Sequence, residues 1–91
     1  MSIETLRRRI EYLCSEVCAG REAGSPEGQE ARRFIVSELR TAGLDPIEQA
    51  VPGCRGTNVI VHLGNVGAEP AVLIGAHYDH IGRALGSDAD R

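Results

Sequence analysis

The sequence predicts an α/β fold, on two observations. Residues 1–42 carry apolar side chains at helical spacing. After Pro46 the chain changes to short, β-branched or continuously apolar stretches separated by glycine-rich gaps. The reading is two helices followed by about three short strands.

In the first helix, Ile3, Leu6, Ile10, Leu13 and Val17 recur at steps of three and four and form one stripe. The helix is predicted over 3–18, with Gly20 in "CAGREAG" as its stop. The second helix is predicted over 26–42. Ser25 can cap its free amides, Pro26 suits its first position and Glu27 meets its positive end. Ala31, Phe34, Ile35, Leu39 and Ala42 make its stripe, Gly43 suits a left-handed stop, and Leu44 can fold back on the last turn.

Three strands follow: "IEQAV", "TNVIVHL" and the apolar run "AVLIGAH" at about 71–77. The intervening "PGCRG" and "GNVGAEP" are too short for helical crossovers and suit hairpins. The third strand is apolar on both faces and needs cover on both sides, more than two helices and a meander supply. The chain thus reads as part of something larger.

Composition narrows the function. All ten basic residues are arginines, set against 13 acidic ones for a net charge of −3. The arginine clusters lie on acid-flanked helices with no interleaved aromatics, which argues against nucleic-acid binding. No stretch approaches the roughly 18–20 apolar residues of a membrane span. The N-terminus lacks the apolar core of a secretory signal. Three cysteines, an odd number without framework spacing, fit reduced thiols and a cytoplasmic chain.

The chemistry-bearing stretch is "GAHYDH", 75–80, at the end of the third strand. Strand alternation sends His77 and Asp79 to one face and Tyr78 and His80 to the other. A metal-bound imidazole commonly donates its second ring N–H to a carboxylate, so the spacing suits His77 as a metal ligand and Asp79 as the group that orients it. Sheet proteins also place ligands beyond the carboxyl ends of their strands. A polar strand end that satisfies loop amides has the same pattern, and spacing alone leaves both readings open. A mononuclear site using His77, Asp79 and His80 together is geometrically awkward, because neighbours in a strand face opposite ways.

The arrangement as a whole resembles the opening of the di-zinc aminopeptidase family, which includes secreted bacterial and vacuolar yeast aminopeptidases and the glutamate carboxypeptidase relatives. "REAGSPEG" before a helix, "TNVI" in a strand and "GAHYDHIG" at a strand end follow the family's order and spacing from about Arg21 to Gly82. The resemblance implies an α/β/α sandwich with a mixed central sheet, and hydrolysis of peptide or amide bonds at two zinc ions. It matches His77 to the first ligand of one zinc and Asp79 to the carboxylate that orients that histidine. Gly75 and Gly82 match small residues flanking the motif, and no role carries over to Tyr78 or His80.

The family's further ligands depart from this sequence. The aspartate that bridges the zincs, the Glu-Glu pair with the general base, a further acidic ligand and a final histidine have no counterpart in the 91 residues. "GRALGSDADR" resembles the loop before the bridging aspartate, and its Asp88 and Asp90 read as solvated. The expectation is therefore that residues 1–91 form an incomplete N-terminal part of one peptidase domain, inactive alone because catalytic zinc needs three protein ligands and a base. The rival reading is a non-catalytic module whose exposed sheet edge drives self-association or needs a partner.

The remaining candidates read as structural. Cys14 and Cys18, four apart on a helix face, suit small buried hydrophobes, and Cys54 in a turn suits an exposed thiol. His62 reads as a strand-rim histidine. Arg7, Arg8 and Arg9 read as a solvated face near Glu4 and Glu11, and Arg21 with Glu22 as fixing the loop before the second helix. "GSPEG" lacks the ending and the preceding strand of a phosphate loop.

Overall fold

The computed structural model describes residues 2–64 and 72–82. All but Gly64 of the second predicted hairpin connection, residue 71 at the start of the third predicted strand, and the stretch holding Asp88 and Asp90 lie outside the described residues. The described chain is a small mixed α/β unit with two helices and a two-stranded antiparallel sheet.

Helix α1 spans Ile3–Leu13, and its N-cap Ser2 accepts a hydrogen bond from the Thr5 amide at 3.1 Å. It stops five residues short of the expected end. The Ser15 hydroxyl and amide both donate to the Tyr12 carbonyl, at 2.6 and 3.0 Å. That local bond competes with the helical ladder. The chain tightens into a 3-10 turn over Glu16–Cys18, which takes Val17 off the helix; Val17 is as exposed as the stripe residues Ile3, Leu6 and Ile10, and α1 has no buried residue.

Helix α2 spans Pro26–Thr41, close to expectation. Ser25 Oγ accepts from the Gly28 amide at 3.0 Å and donates to the Glu22 carbonyl at 2.6 Å, so one hydroxyl caps the helix and pins the loop before it. At the other end Gly43 takes φ +84°. Its amide reaches Arg40 O at 2.9 Å and the Leu44 amide reaches Leu39 O at 3.0 Å. This is the paired-bond Schellman stop that the Gly-Leu pair predicts.

Polar and aromatic contacts join the two helices. Arg8 and Arg9 both grip Glu38 Oε1, at 2.6 and 2.8 Å, and hold its carboxyl below the usual carboxylate range. The arginine run is thus only partly a solvated face: Arg7 pairs with Glu4 at 3.6 Å, while its two neighbours fasten α1 to α2. Tyr12 stacks on Phe34 with ring centroids 4.2 Å apart. Its hydroxyl donates to Glu30 at 3.1 Å, and desolvation together with that bond raises the phenol's pKa. Between these contacts lies a small core of Cys18, Ala19, Ala31 and Val36. Cys18 is fully buried, with its thiol pKa pushed up by desolvation, while Cys14 is exposed, contrary to expectation.

Strands β1 (Ile47–Ala50) and β2 (Thr57–Ile60) pair antiparallel, Ile47 opposite Ile60 and Ala50 opposite Thr57. They are joined by the expected hairpin, in which Gly53 takes φ +75° and the exposed Cys54 accepts the Gly56 amide at its Sγ, 3.1 Å away. Arg32 of α2 pairs with Glu48 of β1 at 3.0 Å and ties the sheet to the helix layer.

The third expected strand is a correction. Residues 72–82 join no ladder among the described residues. Val72, Leu73 and Ile74 stand 89%, 96% and 91% exposed. The apolar pattern is present, but among the described residues no strand pairs with it and the run stands exposed. A groove of ≈ 730 Å³ is lined by residues 73–79 and by β2.

Candidate functional site

The motif stretch passes beside the start of β2. Tyr78 is half-buried, and its hydroxyl donates to the Thr57 carbonyl at 2.6 Å. Desolvation raises its pKa, so the phenol keeps the proton that this bond requires. With Tyr78 turned inward, His77 and Asp79 both face solvent. The alternation expected of a strand survives here without a ladder.

His77 Nδ1 lies 3.1 Å from the backbone carbonyl of Asp79 and 3.4 Å from its carboxylate Oδ1. A carbonyl oxygen only accepts, so the contact exists only when Nδ1 carries the proton. In the neutral ring a proton on Nδ1 leaves the Nε2 lone pair free, and the ring is 86% exposed. A metal-ligating histidine needs this arrangement: one nitrogen held by an oxygen, the other bare. The sequence assigned the orienting role to the carboxylate, but the backbone oxygen of the same residue lies nearer.

The loop before α2 holds this segment from behind. The Arg21 guanidinium donates to Tyr78 O at 3.0 Å and to Leu13 O, the latter among the carbonyls that the end of α1 leaves without helical partners. The His80 amide donates to Arg21 O and the Gly82 amide to Gly20 O, both at 2.9 Å. Gly82 is buried at φ +94°, a backbone conformation that favours glycine, where the two stretches meet. Arg21 itself sits at φ +33°, the only non-glycine at positive φ among the described residues. Such a conformation costs about 1–3 kcal/mol and persists where surrounding contacts over-determine it.

Sequence reasoning singled out His77 and Asp79, gave Tyr78 no role and confined Arg21 to its own loop. The signal for Arg21 was faint: an arginine between Gly20 and Gly24, both at positive φ. Among the described residues no three His, Cys, Asp or Glu side chains are grouped so that they could hold a metal ion. His62 is exposed and outside the pair. The chemistry of the donor set thus fits one corner of a zinc site, with one bare imidazole nitrogen, and does not complete it. Among the described residues no helix is long and apolar enough to cross a membrane.

Compared with protein-family models, with curated proteins and with solved structures, the chain finds no match.

Proposed function

We propose that this chain belongs to a zinc-dependent hydrolase of peptide or amide bonds, of the di-zinc aminopeptidase type, with His77 as a ligand of one zinc and Asp79 as its orienting partner. The observation that carries the reading is the His77 ring, held at Nδ1 by Asp79 with Nε2 left bare. A second support is that the two most distinctive stretches of the resemblance, around Arg21 and around Asp79, are hydrogen-bonded to each other.

In this reading His77 would bind zinc through Nε2, Asp79 would keep the Nδ1 proton in place, and Tyr78 would hold the segment against β2 through Thr57. The metal pair, when bound, supplies Lewis acidity and a hydroxide at neutral pH. The remaining ligands and the general base come from outside the described residues, and peptidase activity is not expected from these residues alone. The bare Val72–Ile74 run supports the larger architecture, an α/β/α sandwich with a mixed sheet of which residues 1–91 form the N-terminal part. A cytoplasmic location completes the proposal.

The same exposed run favours a second reading, a non-catalytic module whose sheet is covered by a partner or by another copy. Hydrolysis of aminoacyl-4-nitroanilides by the protein purified from its native source separates the two. Turnover abolished by a zinc chelator and restored by zinc is the result the hydrolase reading predicts. No turnover across the panel in zinc-replete buffer favours the module.

A further inference from the structure

We propose that Arg21 is the positioning residue of the His77–Asp79 pair and sets the imidazole through a single peptide plane. The inference rests on the reading of His77 as a metal ligand. The carbonyl that holds His77 Nδ1 is that of Asp79. The peptide unit bearing it also bears the His80 amide, which donates to Arg21 O at 2.9 Å. A peptide unit is rigid and planar. Fixing its N–H on the Arg21 carbonyl therefore aims its C=O at the imidazole. The chain from Arg21 O through the 79–80 peptide to His77 Nδ1 is continuous, and each bond polarises the next.

The Arg21 side chain holds its own carbonyl in place. Its guanidinium bridges Leu13 O and Tyr78 O, so it joins the end of α1 to the residue between His77 and Asp79. The Gly82 amide on Gly20 O adds a second tie two residues further on. A glycine would meet φ +33° at position 21 without strain, yet the position holds an arginine. The guanidinium's two bonds, to Leu13 O and Tyr78 O, are what a glycine there would lose. These ties hold the segment from behind, and His77 and Asp79, in contact with each other, remain exposed.

The test uses the full chain labelled with nitrogen-15 and two variants, Arg21→Ala and Arg21→Gly. The first removes the guanidinium and leaves the backbone strain; the second removes both. Amide exchange reports the backbone ties, and the imidazole nitrogen shifts, read where the ring is neutral, report the His77 tautomer. The expected result in both variants is a loss of protection of about tenfold or more at the His80 and Gly82 amides, with amides of α2 and the β1–β2 hairpin changed less than about twofold. The His77 ring then shifts from the Nδ1–H tautomer toward a mixture. An unchanged tautomer with a freed His80 amide overturns the proposal, as does unchanged protection at His80. Should Arg21→Ala lose its helices, Arg21→Gly carries the test, and loss of helices in both overturns it by making Arg21 a residue of global stability. No readout depends on zinc, so a protein that binds none refutes the hydrolase reading and leaves this result standing on its own.

Discussion

Gly28→Ala sets two effects of known size against each other. Gly28 lies in the first turns of α2, where helix propensity alone makes alanine better by about 1 kcal/mol. Its alanine Cβ, however, would sit 2.2 Å from the Glu22 carbonyl oxygen and 3.1 Å from that carbonyl's carbon. Backbone must give way, by about 1 Å to reach ordinary contact. Overpacking of this kind costs about 1–3 kcal/mol. The displaced oxygen also accepts from Ser25 Oγ at 2.6 Å and from the Ser25 amide at 3.0 Å, so the N-cap loosens with it, at about 1 kcal/mol. The propensity gain and the cap loss roughly cancel, and the variant should be less stable by about 1–3 kcal/mol. Urea denaturation followed by helical circular dichroism measures this. The loss should shrink by about 1 kcal/mol in a Ser25→Ala background, where the cap is already gone. A neutral or stabilising Gly28→Ala, or strict additivity with Ser25→Ala, refutes the close packing of the Glu22 loop on α2.

Other outcomes follow from the same contacts. Tyr78→Phe removes the hydrogen bond to Thr57 O and should cost about 1 kcal/mol at neutral pH. Because the Tyr78 pKa is raised in the fold, that contribution is complete below the ordinary phenol range and disappears as pH rises through the elevated value. The two proteins should therefore converge in alkaline urea titrations, and a gap that persists there contradicts the assignment. Glu38, whose pKa is lowered by Arg8 and Arg9, behaves oppositely: its contribution is present above the ordinary carboxylate range and fades as pH falls through the lowered value. Glu38→Gln should flatten the acid limb of the stability profile, and an unaltered limb means the arginines do not hold α1 there. Thiol labelling of the folded chain should modify Cys14 and Cys54 quickly and Cys18 only with unfolding, as mass spectrometry of quenched samples would show.

The parts of the fold legible in the sequence are those determined by neighbouring residues. Ser25 and Pro26 start α2 and Gly43 with Leu44 ends it, each through bonds spanning a few positions. The hairpin between Ala50 and Thr57 was legible in its glycines. The end of α1 was not, because the apolar stripe continues to Val17 while a single hydroxyl, that of Ser15, diverts the backbone. The apolar character of Val72–Ile74 was plain, but a ladder belongs to two strands and the sequence of one does not name the other.

The site divides in the same way. His77 and Asp79 share a face because strand alternation is local, and their contact spans two residues. The clamp from Arg21 spans 57 residues to Tyr78, and nothing in "GREAG" reports where its carbonyl and guanidinium end up. The carboxylate was expected to hold the imidazole. The nearer backbone oxygen of the same aspartate emerges only once the 79–80 peptide is fixed from behind.

The central claim is that His77 is a zinc ligand through its bare Nε2. Its most direct test is the zinc content of the protein purified from its native source, measured beside a His77→Ala variant produced in the same host. The account predicts stoichiometric zinc in the unaltered protein and an affinity lowered by about tenfold or more in the variant. Absence of zinc from the unaltered protein, or full retention by His77→Ala, would contradict it.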